Sequence, residues 1–309
     1  MLKILIVGLG SIGRKHLQCL RRISEVDISA LRSLKGTQRD KTDLKEFYDI
    51  KDALAYEPDG IIIANPTSLH SDYSIPFLER GVKVLVEKPL AASVFEARKF
   101  HPFASNVRVA YCMRFHPLND LISKIIISEK PCKLGFRRSF YLPKWHLDAD
   151  YRTEYTARKD LGGGVIRTLS HEIDLMINWF GAPDNIIGTT GKVSDLEIDT
   201  DDYAFFSCGY LKGFRVNFDL DMLSPVNINT GELYTGKGKY NWDMTGLRFT
   251  GYQDYKEETI HTFSNLELEN MYFRQMIDFV NFVRNGESLN ASADQGLQVL
   301  QIIESIEKQ

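Results

Sequence analysis

A short apolar run, Ile4-Leu5-Ile6-Val7, leads into Gly8-Leu9-Gly10-Ser11-Ile12-Gly13 and then a helical pattern carrying Leu17, Leu20 and Ile23. No other segment restricts the fold as much. A buried strand that runs through three spaced glycines into a helix is the opening of a parallel, doubly wound sheet. Gly8 permits the tight turn, Gly10 admits a pyrophosphate to the backbone, and Gly13 lets helix and strand lie close. The N–H groups around Ser11 and Ile12, at the positive end of the helix, suit the phosphates. The turn therefore predicts a dinucleotide site.

The same unit then repeats. DISAL (27–31), GIIIAN (60–65), VKVLVEKP (82–89) and VRVAY (107–111) are separated by helical patterns near 51–55, 69–80 and 94–100. Continuous apolar runs mark strands covered on both faces. Beyond about residue 130 the texture changes. KLGFRRSFYL (133–142), YAFFSCGYL (203–211), FRVNFDLDML (214–223) and ETIHTF (258–263) partly alternate, with turns such as Lys212-Gly213 between some of them. That pattern predicts an antiparallel or mixed sheet. Helical patterns return at 168–180, 267–284 and 293–308. The expected architecture is α/β, with a doubly wound Rossmann domain over 1–115. An α+β domain with a large, mostly antiparallel open sheet is expected over 116–309, its final helix free to pack back on the first domain.

Composition narrows the partners. The 309 residues are 43% hydrophobic and 26% charged, which excludes disordered and fibrous classes. With 38 Lys and Arg against 41 Asp and Glu, the net charge of −3 gives no basic footprint for nucleic acid. No apolar run approaches the ~20 residues of a membrane helix, and the N-terminal one is shorter than the ~7–15 residues of a secretion signal. Cys19, Cys112, Cys132 and Cys208 are widely spaced and form no CxxC pair. Neither a metal site nor a disulfide framework is expected, and a reduced cytoplasmic setting is.

An acidic residue about 20 positions beyond the glycine loop would accept the ribose 2′-hydroxyl of NAD. Here the end of the second strand carries Arg32 and Ser33. A guanidinium suits a 2′-phosphate instead. The sequence predicts NADP ahead of NAD, with Arg14 or Arg39 assisting and NAD use still open.

Four more motifs follow in order. They are Ala64-Asn65-Pro66-Thr67-Ser68-Leu69-His70, Val86-Glu87-Lys88-Pro89-Leu90, Arg114-Phe115-His116-Pro117, and Gly162-Gly163-Gly164 followed by His171-Glu172-Ile173-Asp174. With the glycine loop and Asp294-Gln295-Gly296, this series resembles the glucose–fructose oxidoreductase/inositol dehydrogenase family (Gfo/Idh/MocA) over nearly the whole chain. The resemblance implies an NAD(P)-dependent oxidoreductase. Its hydride would move between the nicotinamide and a secondary alcohol or ketone of a sugar or nucleotide-sugar. It implies a cofactor site that includes Asn65, Pro66, Thr67, His70, Glu87 and Lys88, with Lys88 beside the nicotinamide and the substrate carbinol. It further implies a cis Lys88–Pro89 peptide, His171 as general acid/base, and a homo-oligomer (dimer or tetramer) built on the open face of the second sheet.

These roles fit the residue chemistry. An ammonium stabilises a developing alkoxide, and an imidazole, with an ordinary pKa of about 6.5, exchanges protons near neutrality. Arg167, His171, Asp174 and Asn178 fall at spacings of four, three and four, which predicts one polar helix face. Many family members carry an Asp where Arg167 stands. Either Asp174 takes over the orientation of His171, or Arg167 adapts the site to an anionic substrate. Tyr141, Trp145, His146, Tyr151, Arg152 and Tyr155 offer aromatic faces and polar groups suited to a carbohydrate. Arg114, His116 and Arg167 join them as candidate substrate contacts. Two rival readings stay open: an NAD-dependent glycoside hydrolase of the same fold, and a non-catalytic dinucleotide-binding regulatory protein.

Overall fold

The computed structural model describes residues 1–33, 42–145, 150–211, 213–254 and 256–309. Arg39, His146 and Lys212 lie outside the described residues. In chain order, the first stretch contains β1 (Leu2–Val7), α1 (Ser11–Leu20), β2 (Val26–Leu31), β3 (Lys45–Phe47), α2 (Ile50–Ala55), β4 (Gly60–Ile63), α3 (His70–Leu78), β5 (Lys83–Val86), α4 (Val94–Ala97) and β6 (Val107–Val109). The middle contains α5 (Pro117–Ser128), β7 (Pro131–Tyr141), α6 (Val165–Thr168), α7 (His171–Phe180), β8 (Asn185–Gly191), β9 (Tyr203–Gly209) and β10 (Arg215–Asp221). It continues through β11 (Leu223–Thr235), β12 (Lys239–Asp243), β13 (Arg248–Gln253) and β14 (Lys256–Thr262). The chain closes with α8 (Asn265–Asn285), β15 (Ala291–Ser292) and α9 (Ala293–Glu307). Among the described residues no helix is long and apolar enough to cross a membrane.

Two compact units emerge. One comprises Met1–Phe115 with Glu269–Leu300, the other His116–Leu268 with Gln301–Gln309. The sequence pattern puts 116–309 in the second domain with only its final helix free to pack back on the first, whereas the structure joins all of Glu269–Leu300 to the first unit. The cause is apolar packing. Met276, Phe279, Val280 and Phe282 of α8 share one buried cluster with Ile4, Ile6, Leu17 and Leu20. Each such side chain contributes roughly 1.5–3 kcal/mol on burial. β15 also adds antiparallel to β6, pairing Ala291 with Val109.

The first unit's sheet runs β15-β6-β5-β4-β1-β2-β3, parallel except at β15. Strand order reverses at β1, where Val7 lies between Leu31 and Ile63. The crevice beyond the carboxyl ends of strands at such a reversal is where open α/β sheets bind ligands. β3 escapes the sequence reading because Lys45-Glu46-Phe47 has neither an apolar run nor enough length to alternate.

The second unit's sheet runs β14-β13-β12-β11-β7-β10-β9-β8. It is antiparallel except where β10 lies parallel to β7. Phe136 stacks on Phe218 at 5.2 Å and Phe218 on Phe206 at 4.3 Å. Trp179 of α7 stacks on Phe136 at 6.1 Å, which fixes α7 against that face of the sheet. Phe205 remains 58% exposed. The helix predicted over 168–180 starts at His171, and a separate short helix, α6, precedes it. Asp201 holds the leading amides of α6, its carbonyl accepting from Val165 N–H (3.1 Å) and its carboxylate from Ile166 N–H (3.1 Å). The chain then turns at Leu169-Ser170 before α7 starts. Arg167 and His171 therefore stand on different helices, not on one face.

Candidate active site

The first unit builds a dinucleotide cradle from β1 and α1. Gly8 has φ +93°, and a Cβ there would stand 2.9 Å from the Ala64 carbonyl oxygen. Its N–H donates to the Leu31 carbonyl at 2.9 Å. A Cβ at Gly13 would overlap the Gly8 carbonyl oxygen, so helix and strand meet here backbone to backbone. Gly10 differs: a Cβ there would meet nothing within 4 Å. Among the described residues the protein's own packing leaves that position open, as an approaching pyrophosphate requires. Among the described residues, the buried amide oxygen and nitrogen of Asn65 meet no hydrogen-bond partner, and neither do Nε and Nη2 of Arg14. Ser11, Ile12, Arg14, Lys15, Gln18 and Tyr272 line a groove of about 270 Å³ beside the turn. Amide donors at a helix start, an open Gly10 and uncommitted Asn and Arg groups fit a dinucleotide.

Arg32 follows β2 one residue after Leu31, at the lip of this turn. Its Nη1 donates to Glu46 Oε1 at 2.7 Å, with side-chain exposures of only 4% and 9%. Glu46 also accepts from the Thr42 amide (3.3 Å), the Thr42 hydroxyl (2.8 Å) and the Tyr48 phenol (2.5 Å). Desolvation alone would raise its carboxyl. The hydrogen bonds from Tyr48, Thr42 and Arg32 outweigh it and hold the group at about 2. Ser33 is exposed.

The two following motifs are tied to each other. His70 is buried, with Nε2 3.1 Å from the Asn65 carbonyl and Nδ1 3.1 Å from the Pro89 carbonyl. It acts as a strut between two loop segments, and burial pushes its pKa down. Pro66 precedes a single 3-10 turn, Thr67–Leu69, in which Thr67 is buried. The Lys88–Pro89 peptide is cis. Glu87 accepts from the Lys88 amide through Oε2 (3.1 Å), and its Oε1 lies 2.6 Å from Nε2 of the fully buried His16. Cys112 sits nearby, its thiol pushed up to about 12 by burial and by the Glu87 charge. Arg114 is buried and donates to Gln295 Oε1 at 3.1 Å.

In the second unit His171 opens α7 and is half-buried. Asp174 is fully buried one turn further on, and Asn178 donates to Asn119 at 3.1 Å. Arg167 makes a two-pronged contact with Glu307, both N···O distances being 2.9 Å. Asp201 lies against Gly164, where a Cβ would overlap its carboxylate, and burial raises its pKa to about 6. Tyr155 donates to the Gly162 carbonyl (2.7 Å) and so braces the glycine triplet. The Tyr151 hydroxyl accepts from Glu197 N–H (3.3 Å), while Arg152 pairs with Asp150 (2.8 Å) and Glu197 (2.7 Å) on the surface. Trp145 packs on Phe140 at 4.1 Å, Tyr141 is exposed, and the His116 imidazole caps α5. Arg114, Arg152 and Arg167 thus each hold a partner within their own unit. Sequence reasoning missed Glu46, His16, Asp201 and Glu307. Only His16 carried a local signal, since Gly13, His16, Leu17 and Leu20 share the buried side of α1.

Residues 2–114 match the oxidoreductase family model with an NAD-binding Rossmann fold, and residues 136–241 match the GFO/IDH/MocA C-terminal domain. The chain is 24% identical to D-xylose 1-dehydrogenase (NADP(+)) 2 of Haloferax volcanii, covering 97% of this chain and 95% of the relative. UDP-N-acetylglucosamine 3-dehydrogenase GnnA from Acidithiobacillus ferrooxidans superposes with a TM-score of 0.81 at 18% identity, over 99% of this chain and 96% of that one. The WlbA dehydrogenase from Bordetella pertussis, solved with NADH and UDP-GlcNAcA, gives 0.82 at 16% identity over 99% and 94%. With models matched in both halves and the ordered motifs in place, the chain belongs to the Gfo/Idh/MocA family of oxidoreductases.

Proposed function

We propose that this chain is an NADP-dependent dehydrogenase or reductase that interconverts a secondary alcohol and a ketone on a sugar or nucleotide-sugar. The observation that carries the proposal is the pairing of an open Gly10 turn with a Lys88 loop braced from beneath by His16 and Glu87. The dinucleotide, when bound, supplies the hydride acceptor or donor. The chain's own residues do the rest. Amides at the start of α1 bind the pyrophosphate, Asn65 binds along the dinucleotide, and Arg32, with Arg14, meets the 2′-phosphate. Lys88 donates to the reacting oxygen, His171 exchanges its proton, and buried Asp174 orients His171. Trp145, Tyr151 and their neighbours contact the sugar. The NADP(+) in the Haloferax relative's name favours the 2′-phosphate reading, and the nucleotide-sugar names of GnnA and WlbA favour the substrate class. Four free cysteines suit a cytoplasmic setting. A homo-oligomer through the open sheet face, checked by light scattering, completes the proposal.

Lys88→Ala and His171→Ala each should lower turnover by ~10²–10⁴-fold while leaving NADPH binding near the wild-type value. Normal turnover in both variants would remove the mechanism. Fluorescence titration of cofactor-stripped protein should show NADPH binding more tightly than NADH, and Arg32→Asp should reverse that order. An unchanged order in Arg32→Asp would refute Arg32 as the reader.

A further inference from the structure

We propose that Glu46 sets how sharply this chain distinguishes NADP from NAD, by offsetting the charge that Arg32 presents at the mouth of the glycine turn. The proposal rests on Arg32 as the 2′-phosphate reader and deepens that reading. Arg32 is placed for the role by the backbone, because Gly8 N–H donates to Leu31 and Arg32 N–H donates to the Phe47 carbonyl, each at 2.9 Å. The second of these bonds joins β2 to β3, where Ala30 stands opposite Glu46. The acid absent from the end of β2 is therefore present one strand over, 2.7 Å from the guanidinium.

Two consequences follow from that placement. A 2′-phosphate drawn to Arg32 also approaches a shielded carboxylate, and like charges at close range cancel part of the attraction. A 2′-hydroxyl meets the opposite situation, because a carboxylate is the acceptor it needs. Thr42 and Tyr48 keep Glu46 ionised and fixed in place, so neither effect can be relieved by protonation near neutrality or by a change of rotamer. The arrangement gives NADP a preference that is compressed, and NAD a usable affinity. Arg32 supplies the preference and Glu46 limits it.

Glu46→Gln keeps the side-chain shape and removes the charge. NADPH should then bind on the order of 10-fold more tightly, the size of one partly screened charge interaction at a few ångströms, with NADH unchanged or weaker. Adenosine 2′,5′-bisphosphate should gain similarly in calorimetry and 5′-AMP should not, which confines the effect to the 2′ position. An unchanged NADPH/NADH ratio in folded Glu46→Gln, beside a collapsed ratio in Arg32→Ala, would overturn the Glu46 proposal and leave the Arg32 reading standing. An unchanged ratio in Arg32→Ala would overturn both. Should Glu46→Gln fail to fold by circular dichroism, Glu46→Asp retracts the carboxylate by one methylene. The ratio should then rise in the same direction by a smaller factor, and no rise would overturn the proposal.

Discussion

Replacing Gly10 with alanine separates what the glycine turn needs for its own fold from what it needs for a ligand. Gly10 has φ −69° and ψ −167°, open to any residue, and its Cβ would meet nothing within 4 Å. The cost to the free protein is limited to alanine's poorer capping of α1, at most about 1 kcal/mol. Gly13 is the contrast, because its Cβ would overlap a backbone oxygen that cannot rotate away. The helix must move off β1, against the packing of Leu17 and Leu20. Overpacking of that kind costs about 1–3 kcal/mol, offset by the roughly 1 kcal/mol that alanine gains over glycine inside a helix. In the presence of a dinucleotide the order reverses. A methyl at Gly10 would stand where the pyrophosphate approaches, and a steric cost of about 2 kcal/mol corresponds to roughly 30-fold in affinity. Urea unfolding without cofactor and NADPH fluorescence titration read the two effects apart. Folded Gly10→Ala that binds NADPH within about threefold of wild type would refute the placement of the ligand. Gly13→Ala that is more stable than wild type by about 1 kcal/mol, the whole propensity gain with no packing cost against it, would refute the packing argument.

Other expectations follow from the buried pairs. Glu307→Ala leaves the buried Arg167 without its two-pronged partner and should lower stability by about 1–3 kcal/mol in urea unfolding. No change would show that the contact is idle. Asp201 has a folded pKa of about 6, above its ordinary 3.8. Its contribution is therefore complete below pH 4 and lost as pH rises through 6, by at most about 3 kcal/mol. Asp201→Asn should gain on wild type between pH 4 and pH 7, and a stability difference that stays flat with pH would refute the assignment. His16→Ala strips the hydrogen-bond partner from buried Glu87 and should cost about 1–3 kcal/mol. A loss below 1 kcal/mol, again from urea titration, would show that the pair does not brace the Lys88 loop.

What the sequence disclosed was local. β1, its glycine turn and α1 are contiguous, and the buried runs of β4 and β5 carry no alternation to confuse them. Arg32 could be read from its spacing, but its partner Glu46 lies 14 residues further on, in a three-residue strand with no pattern of its own. The pairings of Arg167 with Glu307 and of His16 with Glu87 span 140 and 71 residues, distances at which periodicity carries no information. The helix expected over 168–180 forms from His171 onward but not at its start, since Asp201, outside the segment, fixes α6 as a separate turn. β8, β11, β12 and β13 did not stand out either, because in an open sheet the neighbouring strands decide which face each residue shows.

The return of α8 and β15 to the first unit also governs the order of assembly during synthesis. The apolar surfaces of β1 and α1 leave the ribosome early, yet the Met276–Phe282 segment that covers them is made about 160 residues after Phe115. At roughly 5–20 residues per second, that interval lasts about 8–30 s. The intervening strands β7 to β14 are complete before the cover arrives. The nucleotide-binding unit is thus begun before the second unit and can close only after the strands β7 to β14 have been made.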